Sequence, residues 1–145
     1  MKTILLYCFV LLIAFGCEMK EADSDPTAAY IGDWTSQYVE DEFTLTVMKL
    51  TIEKSGERRL RIVMFIHTEA KGNFDVPDDE YRILEDVIVP TDGTPSFDYT
   101  STGYGRTVSV HGSMIVDKSK LSVAMTGVDH KINESKSIFF VLNKH

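Results

Sequence analysis

Residues 121–126 read Leu-Ser-Val-Ala-Met-Thr, with a large apolar side chain at every second position. Alternation with a period of two is typical of a β-strand that buries one face. The same period recurs in residues 58–68, where Leu60, Ile62, Met64 and Ile66 fall on one face. No stretch combines a helical period with capping residues. The sequence therefore predicts an all-β fold.

About eight such stretches follow one another, separated by short polar turns or by loops that contain Gly and Pro. The predicted strands are residues 34–39, 43–53, 58–68, 81–89, 97–102, 107–116, 121–128 and 137–143. Antiparallel strands in hairpin succession form either an up-and-down barrel or a two-sheet β-sandwich. We expect the barrel of about eight strands, because closure removes exposed sheet edges.

Within residues 43–53 the apolar positions change phase, from Leu45 and Val47 to Met48 and Leu50. Successive side chains of a strand point to opposite faces, so a phase change exchanges the two faces. The pattern predicts a bulge or a bend at this point of the strand.

The first residues have the organisation of a secretion signal: Lys2, an apolar run over residues 4–15, and small residues before Cys17. The segment that ends in this cysteine, Ile13-Ala14-Phe15-Gly16-Cys17, resembles the lipobox of bacterial lipoproteins. The resemblance implies cleavage before Cys17 and a diacylglycerol on its sulfur. It predicts a membrane-anchored protein of the outer membrane, on its periplasmic face or at the cell surface.

The predicted organisation is a signal peptide at residues 1–16, a flexible acidic tether at 17–27 and one β domain at 28–145. The acidic residues that follow Cys17 resemble surface-export signals of lipoproteins in the Bacteroides group. Cys8 lies within the signal, so the mature chain keeps Cys17 alone and forms no internal disulfide.

The segment Tyr30-Ile31-Gly32-Asp33-Trp34-Thr35 places a Gly-x-Trp motif at the entrance of the first predicted strand. This motif and the strand count resemble the lipocalins and the wider lipocalin-like (calycin) group. In that group the tryptophan closes one end of the barrel, and the glycine permits a close approach. The family's arginine that packs over this tryptophan has no counterpart, because the only base in 137–145, Lys144, is expected beyond the last strand.

The charge of the chain limits its partners. It carries 22 acidic and 15 basic residues, for a formal net charge of −7 at pH 7. Removal of the signal takes away one base, Lys2, and no acid. An acidic chain repels phosphate backbones, so no nucleic-acid partner is expected.

The sequence does not indicate catalysis, a metal or a cofactor. The four histidines lack the local spacing of metal ligands, and no Gly-x-Ser-x-Gly nucleophile motif is present. Ser109 and His111 share one strand face, a spacing that is common by chance. Glu85 and Asp86 are expected on opposite faces of their strand, so one of them would point inward. We expect no enzyme; the alternative is an uncharacterised hydrolase.

Two functions remain open. The first is a lipoprotein of the cell envelope whose barrel binds a small apolar ligand non-catalytically, with Met64, Val123, Met125 and Phe140 as candidate lining residues. The second is an accessory module that presents a β-surface to an envelope protein at the outer membrane. Tyr99 and Tyr104, expected to be exposed, would then be the contact candidates.

Overall fold

The computed structural model describes residues 25–73, 75, 79–103 and 105–145. The predicted lipobox with Cys17, and Tyr104, lie outside these residues. The described part contains one short 3-10 helix, Pro26–Ala29, and nine strands. The strands are β1 Gly32–Ser36, β2 Val39–Glu40, β3 Thr44–Gly56, β4 Arg59–Ala70, β5 Glu80–Ile88, β6 Ser96–Gly103, β7 Arg106–Asp117, β8 Lys120–Asp129 and β9 Glu134–Lys144. Within those ranges no helix has the length and apolar character needed to cross a membrane.

All strand pairs in the described residues are antiparallel and belong to one sheet. The strand order is β5-β4-β3-β1-β9-β8-β7-β6, with the short β2 on β3. β1 pairs with β3 on one side and with β9 on the other. It therefore joins the early strands to the last one, and the sheet curls into a nearly closed barrel. The all-β, eight-stranded up-and-down barrel predicted from the sequence is therefore confirmed.

The first predicted strand, residues 34–39, is interrupted. β1 ends at Ser36 and β2 begins at Val39. One part of β3 therefore pairs with β1 and another part with β2. At the exchange the amide of Met48 donates to the hydroxyl oxygen of Ser36 at 2.9 Å. Of the two alternatives predicted in 43–53, the bulge is wrong, because β3 pairs with β4 without a register shift from Thr44 to Lys54; the bend stays a prediction. The apolar positions of β3 change face where its partner changes from β2 to β1.

One hydrophobic cluster fills the barrel. The alternation of β4 is confirmed, since Leu60, Ile62 and Met64 are at most 1% exposed while Arg59 and Arg61 remain accessible. Burial of such side chains stabilises the fold by about 1.5–3 kcal/mol each. The other fully buried large side chains are Trp34, Met48, Ile52, Val89, Met114, Leu121, Val123, Phe140 and Leu142.

The segment before β1 is part of the folded unit. Asp25 caps the 3-10 helix by accepting from the Thr27 amide at 3.0 Å, and Thr27 is fully buried. The Lys54 ammonium, and then Thr27, hold the pKa of Asp25 at about 2. Asp25, through Lys54, and the buried Thr27 therefore belong to the folded domain, although we expected both in the tether. The strand pairs and the core cluster found among the described residues all lie within residues 30–144, so residues 25–145 carry the whole described barrel.

Candidate functional site

The barrel is open between β5 and β6. These strands follow one another in the chain, yet they end the strand order on opposite sides, and the described residues form no backbone ladder between them. A cleft of about 720 Å³ lies at this opening. Its lining consists of residues 83–88 of β5, Pro90, and residues 96–99 of β6. We call it the β5–β6 cleft.

The deepest lining residues of the cleft are apolar. Leu84, Val87 and Phe97 are 9%, 6% and 6% exposed, and all three belong to the hydrophobic core. Phe97 lies opposite Gly112, where an added Cβ would be 2.2 Å from the ring. The glycine therefore lets the Phe97 ring rest directly on the backbone of β7.

A bulge in β5 produces this arrangement. Leu60 pairs with Val87 and Ile62 pairs with Leu84, so β5 has one residue more than β4 between these pairs. Asp86 takes up the extra residue with a φ of +54°, a conformation that Asp tolerates better than most residues. As a result Leu84 and Val87, three residues apart, both point into the core.

The bulge overturns the expectation that Glu85 or Asp86 points inward. Both side chains are exposed, and each meets an arginine of β4. Glu85 accepts from Arg61 at 3.0 Å, and Asp86 lies 3.9 Å from Arg59. The alternation rule failed because the extra residue changes the phase of the strand at this point.

Arg82 links the two strands across the opening. Its Nε donates to Glu80 at 2.9 Å and its Nη2 to the Ser101 hydroxyl at 3.4 Å. The guanidinium carbon lies 5.7 Å from the ring centroid of Tyr99. Burial, and then the charge of Glu80, raise the pKa of Tyr99. A side chain thus connects β5 to β6 where a ladder is missing.

Tyr99 is therefore not the exposed contact residue that we expected. Its ring is half-buried, stacks on Phe97 with centroids 6.4 Å apart, and packs against the core. Large apolar side chains are exposed elsewhere, on the outer face of β7 and β9. Ile115 and Phe139 are each 55% exposed and Val141 is 40% exposed.

The candidate lining residues proposed from the sequence lie deeper than the cleft. Met64, Val123 and Phe140 are at most 1% exposed and Met125 is 6% exposed. Val123 pairs with Phe140 across β8 and β9, and all four belong to the single core cluster. None is among the residues found to line the β5–β6 cleft. Sequence alternation identified the inward face but not the point where the wall opens.

The tryptophan of the Gly-x-Trp motif lies in the hydrophobic core. Trp34 is 1% exposed, and its Nε1 donates to the carbonyl of Tyr30 at 2.8 Å. The Tyr30 hydroxyl in turn donates to the carbonyl of Gly93, a contact that the sequence analysis missed. That bond fastens the start of the domain to the loop between β5 and β6.

The expectation for Lys144 is wrong. Lys144 is the last residue of β9, and its ammonium nitrogen lies 5.2 Å from the Trp34 ring centroid. It occupies the place where the lipocalin resemblance implies an arginine. Gly32 has a φ of +134°, and a Cβ there would lie 2.7 Å from the Lys144 side chain. Gly32 thus makes room for a cation over the tryptophan.

Ser109 and His111 share a face as expected, but each has a different partner. The Ser109 hydroxyl contacts His130 Nε2 at 2.6 Å, whereas His111 Nδ1 contacts Asp98 at 2.8 Å. In the described part of the chain the two pairs do not combine into a Ser-His-Asp relay. No group of three His, Cys, Asp or Glu residues in that part is arranged to hold a metal ion.

Comparison of the chain with protein-family models, with curated proteins and with solved structures found no match.

Proposed function

We propose that the protein is a cell-envelope lipoprotein whose non-catalytic, lipocalin-like barrel binds a small apolar ligand in the β5–β6 cleft. The observation that carries the proposal is the cleft itself, with its apolar floor of Leu84, Val87 and Phe97 at an opening in the wall. Its volume of about 720 Å³ falls within the range of about 300–1,000 Å³ that is usual for ligand pockets.

The lipobox that ends in Cys17 supports the lipoprotein part of the proposal. The strand order, with β1 between β3 and β9, supports the lipocalin-like part. So does the contact of Lys144 with Trp34. The ligand site proposed here differs from the one expected from the sequence, because Met64, Val123, Met125 and Phe140 lie within the packed core.

A methyl NMR titration of residues 25–145 with decanol tests the ligand site. Decanol is a neutral alkyl chain, so its binding reports the apolar floor alone. We expect saturable shifts at the methyl groups of Leu84 and Val87, and small shifts at Val123. Equal shifts throughout the core, or none at Leu84 and Val87, would contradict the proposal.

Two tryptophan variants give a matched comparison in the same titration. Ser96→Trp places a large side chain in the cleft lining, whereas Ser137→Trp places one at an exposed position of β9 outside it. Ser96→Trp should weaken decanol binding by about tenfold or more, the equivalent of about 1.4 kcal/mol. Ser137→Trp should leave binding unchanged.

A further inference from the structure

We infer that Arg82 is a latch on the β5–β6 cleft, and that its contacts with β6 set how fast a ligand enters and leaves. The inference rests on the proposed function, since it concerns access to the same site. A difference between the two ends of the opening carries it. One end is hydrogen-bonded to three other parts of the fold, whereas the other end is linked through the side chain of Arg82.

The loop that joins β5 to β6 is the fixed end of the opening. The Val89 amide donates to the Arg58 carbonyl, in the turn between β3 and β4, at 2.8 Å. The Pro95 carbonyl accepts from the Met114 amide of β7 at 3.0 Å. The Tyr30 hydroxyl donates to a third carbonyl of the same loop. These bonds hold both sides of the loop in place, so β5 and β6 stay together at this end.

The other end of the opening is linked through Arg82. Its Nη2 lies 3.4 Å from the Ser101 hydroxyl, beyond the range of about 2.7–3.2 Å that is usual for such bonds. The shorter bond of this guanidinium, from Nε to Glu80 at 2.9 Å, stays within β5. The described residues form no backbone ladder between the two strands. Rotation of one partly exposed side chain therefore releases this link without breaking a backbone bond.

Arg82 also covers the floor of the cleft. It lies on the same face of β5 as Leu84, two residues later, and its guanidinium is placed over the Tyr99 ring, which stacks on Phe97. Leu84 and Phe97 are only 9% and 6% exposed, so an alkyl chain reaches their faces fully only when β5 moves away from β6. Because the loop end is fixed, that movement begins at Arg82.

A latch acts on rates and leaves the affinity almost unchanged. The link is closed both before and after binding, so its loss lowers the barrier to entry and the barrier to exit alike. Arg82→Met should raise the association and dissociation rate constants by about fivefold each, the factor expected for the loss of one hydrogen bond. Kd is the ratio of the two rate constants and should stay within about twofold of its original value.

Stopped-flow fluorescence with N-phenylnaphthylamine, a neutral probe that becomes brighter in apolar surroundings, measures both rate constants. The parent is the Cys17→Ser protein, which lacks the sulfur that would carry the lipid, and each variant is made in it. Displacement by decanol and loss of binding in Ser96→Trp assign the probe to the cleft.

Two further variants test whether the link itself is responsible. Arg61→Met removes an arginine that is equally exposed and also binds carboxylates, but that joins strands already paired through their backbones. Both rate constants should stay at their parent values. Ser101→Ala removes the acceptor on β6 and leaves Arg82 in place, so both rate constants should rise together by about twofold. If Arg82→Met does not fold, Ser101→Ala decides.

The outcomes distinguish this inference from the proposed function. If the probe binds at the cleft and the variants at Arg82 and Ser101 leave both rate constants unchanged, or raise the dissociation rate alone, Arg82 is not a latch while the apolar site stands. An equal rise in Arg61→Met would show a general loosening of the barrel and would overturn the inference as well. If the probe does not bind the parent, or binds Ser96→Trp equally well, the proposed function fails together with the inference.

Discussion

At the residue scale, Trp34 joins the start of the domain to its last strand. Its ring is 1% exposed, its Nε1 bonds the Tyr30 carbonyl, and Lys144 covers it. Trp34→Ala should lower the free energy of unfolding by about 3–5 kcal/mol, because it leaves a cavity and unpairs a buried carbonyl. Urea denaturation followed by circular dichroism measures the change.

Phe139→Ala is the matched control for this prediction. It also removes a large aromatic ring from a strand, but Phe139 is 55% exposed, so the loss should stay below about 1 kcal/mol. Equal losses for the two variants would contradict the role of Trp34 as core.

His67 makes the stability of the barrel depend on pH. Its Nδ1 contacts Asp79 at 2.6 Å and its Nε2 contacts Glu69 at 3.1 Å; Glu69 also accepts from the Tyr38 hydroxyl. The hydrogen bonds to Asp79 and then to Glu69 raise the pKa of His67 above its ordinary 6.5. Protonated His67 thus joins β4 to the residue just before β5.

A histidine whose pKa is raised in the folded state stabilises it fully below the unfolded-state pKa. That contribution is lost as the pH rises through the folded-state pKa. The stability advantage of the wild type over His67→Gln should therefore shrink as the pH rises above the ordinary histidine pKa of 6.5. Urea denaturation at several pH values measures it, with His145→Gln as control. An advantage that does not change with pH would refute the assignment.

For single residues, the sequence identified those whose role follows from a local motif. It missed those whose role depends on the length of a strand, on a bulge or on a distant loop. Trp34 and Gly32 were identified because the motif is local. The place of Lys144 was missed because it depends on the length of β9, and the exposure of both Glu85 and Asp86 depends on a bulge. No short pattern around Tyr30 indicates that its hydroxyl bonds a loop more than sixty residues away.

At the scale of elements, side chains hold the β5–β6 junction of the barrel wall together. Side-chain contacts of Arg82 bridge these two strands, between which the described residues form no backbone ladder. Arg82→Met should increase amide hydrogen exchange in β5 and β6 by about fivefold, because removing the bridge costs about 1 kcal/mol of local stability. Exchange followed by mass spectrometry measures it.

Arg61→Met is the matched control, since its side chain is as exposed as that of Arg82 and it also binds carboxylates. Arg61 joins β4 to β3 and β5, which are already paired through their backbones. Exchange in β6 should therefore stay at the wild-type rate. A similar rise in both variants would show that Arg82 is not a specific bridge.

The strands themselves were predictable because the period of two is a local property of the sequence. The irregularities of these strands were less predictable from the sequence. The break between β1 and β2 follows from a partner exchange, and the opening at β5–β6 reflects how the two ends of one sheet meet. Each involves residues far apart in the chain, which a single sequence does not place side by side.

At the scale of the whole molecule, the resemblance of residues 13–17 to a lipobox predicts that the protein is held at a membrane. Cys17→Ser removes the sulfur that would carry the lipid, so the protein should move from the membrane fraction to the soluble fraction. Cell fractionation with detection of the protein measures the change. Cys8→Ser alters a cysteine within the signal and should leave the protein on the membrane. Continued sedimentation of Cys17→Ser with membranes would contradict the anchor.

Native mass spectrometry decides whether the β5–β6 cleft holds an apolar ligand, as we propose. The Cys17→Ser, Cys17→Ser/Ser96→Trp and Cys17→Ser/Ser137→Trp proteins are purified gently from the host and compared. We expect an additional small apolar mass on the first and third proteins and its loss from the second. A first protein without any such mass, or a mass retained equally when Ser96 is replaced by tryptophan, would contradict it.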